Sequence, residues 1–231
     1  MEPENELANS NKPADPVNPV RVRGDLDPAL SRWMWLVKWI LAIPHYIVLF
    51  FLHIAYFVLT VVAFFAILFT GKYPKAIFDF NVGVVRWSWR VGFYALYVVG
   101  TDKYPPFSLQ ANDEYPADLE IDYPEQLSRG LVLVKWWLLV LPQYLILIAL
   151  TSGGSWGMGD SDSWGVVTSI PLMSILLFVA VIGLLFTGRY PQGLYDFLVG
   201  IARWTIRVQV YAGLMRDEYP PFRLDQGARE P

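Results

Sequence analysis

The chain has 231 residues, 55% of them hydrophobic and 16% aromatic, and only 17% are charged, against about 25% in an ordinary soluble domain. That balance excludes a disordered protein, a nucleic-acid binder and a typical cytosolic enzyme, and the net charge of −3 offers no basic field to polyanions. Cysteine is absent, which removes disulfides, thiolate metal sites and cysteine nucleophiles from consideration.

Residues 1–18 are polar and acidic (Glu2, Glu4, Glu6, Asp15) with several prolines, and read as a disordered tail. Pro19 to Leu26 alternates apolar and polar residues, the period of a strand. Trp39 to Phe69 then runs without Asp, Glu, Lys or Arg, long enough to cross a bilayer. Two placements fit this run. One has two minimal spans, about 32–51 and 54–70, meeting near Leu52 and His53. The other has an interfacial helix up to Ile43 and one long span after Pro44. Pro74 to Gly100 is expected to be an amphipathic helix, about 74–100, with Asp79, Gly83, Arg86 and Arg90 on one face. Phe107 to Leu109 is expected as a short strand, and Pro116 to Pro124 again shows the strand period. No Lys or Arg occurs from Tyr104 to Ser128, while six acids do; such a stretch is a solvated face or a dock for a basic partner.

The remainder repeats this order. Leu30-Ser31-Arg32 recurs as Leu127-Ser128-Arg129, and Val37-Lys38-Trp39 as Val134-Lys135-Trp136. Phe69-Thr-Gly-Lys-Tyr-Pro74 recurs as Phe186-Thr-Gly-Arg-Tyr-Pro191, and Tyr104-Pro-Pro-Phe107 as Tyr219-Pro-Pro-Phe222. Asp79, Arg86 and Arg90 are matched by Asp196, Arg203 and Arg207. The chain is therefore an internal duplication: repeat 1 over 19–110 and repeat 2 over 111–225, followed by a tail, 226–231. Repeat 2 is expected to hold spans at about 130–150 and 165–187, an amphipathic helix at about 191–214, and a closing strand at Phe222 to Leu224.

The offset between copies is 98 at Pro44/Pro142 and 117 at Phe69/Phe186, so the second copy carries nineteen extra residues. They include the glycine-rich stretch Thr151 to Asp160. Insertions are tolerated at water-exposed loop tips, which favours a break near Leu52 in the first copy as well, and hence the two-span placement. Lys and Arg flank the starts and ends of the apolar runs, whereas residues 151–165 have none. The positive-inside rule then puts both termini in the cytoplasm and points both hairpins outward with matching polarity. The amphipathic helices are expected to be interfacial or re-entrant, because two arginines at the midplane of a span are costly. The fold class expected is an all-α integral membrane protein with small β elements, built as two tandem repeats. Each repeat would be a transmembrane helical hairpin with an amphipathic helix and short cytoplasmic strands.

Two kinds of residue could carry chemistry. Arg86 with Arg90, and Arg203 with Arg207, lie one helical turn apart. With Asp79 and Asp196 they form either a lipid or anion site, since guanidinium forks bind anions bidentately, or a structural brace between the helix and the strands. His45 is the candidate haem or pigment ligand; its plain reading is a polar residue near a helix end, matched by Gln143 in the second copy. There is no glycine-rich phosphate loop, no paired-histidine metal motif and no nucleophile elbow.

The Phe69–Pro74 motif, Phe78-Asp-Phe80 (Tyr195-Asp-Phe197 in the second copy) with Arg86-Trp87-x-x-Arg90, and Tyr104–Phe107, a set carried by both copies, resemble a bacterial membrane-protein family known as domain of unknown function 4389. The resemblance covers about residues 19–225. It implies a bacterial membrane location and a tandem arrangement, with no activity to carry over. The expectation is a non-catalytic scaffold or accessory subunit in the inner (plasma) membrane, multi-pass, with the lipid bilayer and other membrane subunits as partners and no cofactor. The alternatives are a lipid-binding or transport protein using the arginine faces, and a haem- or pigment-associated subunit.

Overall fold

The computed structural model describes residues 18–151 and 172–224. Both terminal tails, the glycine-rich insertion and the start of the expected 165–187 span lie outside the described residues. In chain order the elements are β1 (Val20–Gly24), α1 (Trp35–Leu41), α2 (Ile43–Thr70), α3 (Lys75–Val91), β2 (Ala117–Ile121), α4 (Leu131–Val134), α5 (Leu141–Thr151), α6 (Leu172–Thr187) and α7 (Gln192–Ala212). A π-helical turn, Gly92–Leu96, extends α3, and another, Lys135–Leu139, joins α4 to α5. The protein is mostly helical with one small two-stranded sheet.

The repeated Thr-Gly-Lys/Arg-Tyr-Pro motif is a helix reversal. Gly71 closes α2 in the left-handed region (φ 73°), its N–H bonded to the Ile67 carbonyl at 2.7 Å. Gly188 does the same for α6 (φ 69°), bonding Leu184 at 2.8 Å. Only glycine adopts this conformation without a Cβ penalty. Pro74 and Pro191 then open α3 and α7 from extended backbone, with φ already suited to a helix start. The result is two helices that run back along their predecessors. Asn81 Nδ2 donates to Thr60 Oγ1 at 3.2 Å, and Trp87 Nε1 donates to His45 Nδ1 at 3.0 Å, so α3 is antiparallel to α2.

Three layers result. α2 packs on α3, α6 packs on α7, and the sheet lies against α3 and α7. The strands are antiparallel with Val22 opposite Leu119. The inward residues Val20, Val22 and Leu119 join Val82, Val85, Trp89 and Phe93 of the first copy with Leu198, Val199 and Ala202 of the second in one core. The outward residues Arg21 and Glu120 are half-exposed or exposed.

Several expectations change. α2 is continuous through Leu52 and His53, so the two-span division 32–51 and 54–70 is not formed; the short helix before Pro44 and a long one after it is the arrangement present. No glycine, proline or turn residue interrupts 45–70. A growing helix gains a hydrogen bond with each residue added, so nothing stops it there. The insertion therefore marks a feature of the second copy alone. Among the described residues the strands are β1 and β2; Phe107–Leu109 and Phe222–Leu224 form none, the first because arginine side chains take the carbonyls that a ladder would need (below). The expected amphipathic helices end earlier, with the π turn at Leu96 and with α7 at Ala212. They form the middle layer, buried on nearly every face.

Gly83 of α3 sits hard against the segment before β2: a Cβ there would stand 2.7 Å from Leu109 Cβ and 3.1 Å from its carbonyl oxygen. Gly193 of α7 has nothing within 4 Å. Gly83→Ala is expected to destabilise by about 1–3 kcal/mol through overpacking, outweighing the ~1 kcal/mol helix-propensity gain. Gly193→Ala is expected to be neutral or mildly stabilising. Thermal unfolding of the two variants in detergent checks the pair.

Candidate functional site

The arginines singled out in the sequence meet the strands. Arg86 Nε donates to the Leu119 carbonyl at 2.8 Å and Nη1 to the Leu109 carbonyl at 2.8 Å. One turn on, Arg90 donates to the carbonyls of Ser108 (3.3 Å) and Gln110 (2.8 Å). Both guanidinium groups lie beside Asp118 Oδ1, at 3.0 and 3.1 Å. Asp118 in turn accepts the backbone N–H groups of Asn112 and Leu119, both at 2.8 Å. Arg90 is fully buried. Burial pulls its pKa down while Asp118 pushes it up; the carboxylate compensates for lost water.

In the second copy Arg203 Nε donates to the Val22 carbonyl at 3.0 Å, and Tyr195 donates to the Gly24 carbonyl at 2.7 Å. Val22 and Leu119 occupy matching places in the two copies. The helix of the first copy thus grips the strand of the second, and the helix of the second grips the strand of the first. The acid is not repeated: the position matching Asp118 is Arg21, which pairs with Glu120 (3.2 Å) and Asp122 (2.8 Å). Arg207 is buried.

Asp79 and Asp196 do not join these clusters. Asp79 is exposed and pairs with Lys75 at 3.0 Å; Asp196 accepts from Gln192 at 2.9 Å. Helical spacing put Asp79 two turns from Arg86, but the strand approaches only the second half of α3.

His45 is buried, accepts from Trp87 and stacks on Phe107 with ring centroids 3.9 Å apart. Because Nδ1 accepts, the ring proton sits on Nε2. Gln143 performs the same task in the second copy, its Oε1 accepting from Trp204 Nε1 at 2.8 Å. A residue replaceable by glutamine as an acceptor is accounted for by packing. Among the described residues no group of three His, Asp or Glu could hold a metal ion.

Sequence reasoning missed the two lysine pairs. Lys38 and Lys135, read as flanking charges, are both buried. Lys38 Nζ forms an ion pair with Asp102 Oδ1 and donates to the Thr101 carbonyl, each at 2.7 Å. Lys135 Nζ donates to Asp217 Oδ1 at 2.7 Å and the Arg216 carbonyl at 3.0 Å. The other oxygens of Asp102 and Asp217 accept the N–H groups of Ser31 and Ser128, each at 2.6 Å. Burial lowers the Lys38 pKa and Asp102 opposes it. The signal was present: an aspartate stands two residues before Tyr-Pro-Pro-Phe in both copies, and Val-Lys-Trp recurs with it.

Asp118→Asn removes a carboxylate shared by the buried Arg90 and the part-buried Arg86, and is expected to cost about 3–5 kcal/mol. Asp79→Asn, on an exposed pair, is expected to stay within about 0.5 kcal/mol. Lys38→Met is expected to destabilise strongly, with partial recovery in Lys38→Met/Asp102→Leu, because the double change leaves no orphan charge. Denaturant unfolding of the four variants measures these differences.

The model of the family described as Domain of unknown function (DUF4389) matches residues 32–108 and 166–223, more than half of the chain, with one segment in each copy. No curated protein matches the chain, and no solved structure does. Carrying the family's pattern in two separate segments, the chain belongs to the DUF4389 family.

Proposed function

We propose that the protein is a non-catalytic scaffold or accessory subunit of a membrane protein assembly, seated in the plasma (inner) membrane by its apolar helix layer. The observation that carries this reading is the outward face of that layer. Ile43–Thr70 has a mean hydropathy of 2.6 and Leu131–Leu150 of 2.0, and both are long and apolar enough to cross a membrane. Phe50, Phe51, Phe57, Phe65 and Phe69 are each more than half exposed. A soluble chain rarely leaves so large an apolar patch uncovered; lipid or the helices of other subunits would cover it.

The polar chemistry supports the same reading. Arg86 and Arg90, first considered for a lipid phosphate, donate instead to the carbonyls of Leu119, Leu109 and Gln110 and pair with Asp118, which favours the brace over the anion site. The buried lysines are spent likewise. Groups already neutralised within the fold are poorly placed to bind or activate a substrate.

Membranes washed in alkaline carbonate are expected to retain the protein, and mild-detergent extracts are expected to contain it with another membrane protein in fixed ratio, read by native mass spectrometry. Release by carbonate would overturn the membrane seat, and recovery only as a bare monomer would overturn the assembly role. Phe57→Asp/Phe65→Asp is expected to shift the protein out of the membrane fraction, since each aspartate near a helix centre costs about 2.5–3.5 kcal/mol of insertion free energy.

A further inference from the structure

We infer that the apolar layer lies flat in a single leaflet, with α2 in the plane of the membrane and the outer face of the sheet turned to water. The inference rests on the membrane seat proposed above and concerns how the chain meets the bilayer. Its basis is the direction in which polarity changes. In a spanning protein the sequence polar, apolar, polar runs along the helix axes. In this protein it runs across them.

One surface is the outward side of α2, with Ile47, Phe50, Ile54, Phe57 and Phe65 exposed. Beside it in the same layer stands the 131–151 helical segment: Trp136, Tyr144 and Leu147 line a cavity of about 670 Å³ together with Tyr56 and Phe64 of α2, while Leu145 and Ile148 are exposed. The middle layer, α3 and α7, is buried. The opposite surface is the outer face of the sheet, where Arg21 pairs with Glu120 at 3.2 Å and Asp122 at 2.8 Å in the open.

The level of those charges decides the orientation. Asn81 of α3 meets Thr60 of α2, and Ser88 faces His53 at 3.4 Å. Arg86 lies between Asn81 and Ser88, so it is level with the middle of α2. Its Nε holds the Leu119 carbonyl, and Glu120 is the next residue. The Arg21–Glu120–Asp122 cluster is therefore level with the midpoint of a helix about 42 Å long. Were α2 to cross the bilayer along its axis, this cluster would stand beside the hydrocarbon midplane, where charges are costly. Laid flat, the same molecule puts its apolar side among the acyl chains and its charges on the far side. The ends of α2 then fall in the headgroup zone. One end carries the exposed Lys72. The other carries exposed Lys103, whose neighbour Tyr104 donates to the Leu41 carbonyl at 3.0 Å.

The chain lacks cysteine, so single cysteines at exposed positions report without background. Lys72→Cys, Lys103→Cys and Asp113→Cys, the last on the sheet side, are treated with a membrane-impermeant maleimide in right-side-out and in inside-out vesicles. Phe57→Cys reports the apolar face, and each variant is first shown to be carbonate-retained. The expected result is that 72, 103 and 113 all react from one and the same side, and that 57 reacts only after detergent is added. Any other pattern among 72, 103 and 113, above all reaction of 72 and 103 from opposite sides, overturns the flat seating while leaving the membrane seat intact. Carbonate release, or reaction of 57 in sealed vesicles, overturns the membrane seat itself.

Discussion

The fold depends on one constraint: cations carried into its interior by the middle helices must find oxygen. Arg86, Arg90 and Arg203 project from α3 and α7, which are enclosed on one side by apolar helices and on the other by the sheet. Removed from water, a guanidinium group is tolerated only when its donors are satisfied and its charge is opposed. The strand carbonyls of Val22 and Leu119 and the loop carbonyls of Ser108, Leu109 and Gln110 accept from these arginines, and the Asp118 carboxylate opposes the charge of Arg86 and Arg90. The sheet is consequently more than a covering: it supplies the acceptors that let α3 and α7 be buried at all.

This constraint also explains why the two copies are inseparable. Each middle helix takes one backbone acceptor from the strand of the other copy, and the strands in turn pair with each other. Further ties cross the same boundary. Tyr123 donates to the Tyr73 carbonyl, Tyr190 to the Val98 carbonyl at 2.6 Å, and the Leu127 N–H to the Gly71 carbonyl at 2.8 Å. Either half, taken alone, would lack the strand carbonyl that accepts from its middle-helix arginine. The lysine–aspartate pairs act within each copy instead, fastening the helix before Pro44 or Pro142 to the segment that opens Tyr-Pro-Pro-Phe. The duplicated motifs thus divide into those that stabilise one copy and those that join two.

Where the copies differ, the difference is local and chemically conservative. His45 and Gln143 both accept from the indole N–H of the matching tryptophan. Asp118 has no acidic counterpart, because its matching position is Arg21, which turns outward to Glu120 and Asp122. The second copy carries nineteen extra residues between Pro142 and Phe186, whereas α2 of the first runs on without interruption. The repeated positions therefore tolerate exchange of one acceptor for another, but the buried cations themselves are kept in both halves.

Local pattern alone determined the helical character, the repeated motifs, the two strands with their period-two alternation, and helix starts at Pro74 and Pro191. These follow from short-range physics: fixed proline dihedrals and the alternation of side chains along a strand. It also marked Arg86, Arg90, Arg203 and Arg207 as residues needing an explanation. The run from Trp39 to Phe69 could not disclose its own continuity, because an apolar stretch reads alike as one helix or two, and the insertion of the other copy was a misleading guide. Nor could spacing along α3 show that Asp79 faces water while Arg86 faces a strand. The partners of Lys38 and Lys135 lie 64 and 82 residues away, and the acceptors of the arginines belong to strands or loops brought in from elsewhere. Only the tertiary structure decided these matters, since which oxygen neutralises a buried cation is set by the packing of distant segments and not by its neighbours in the chain.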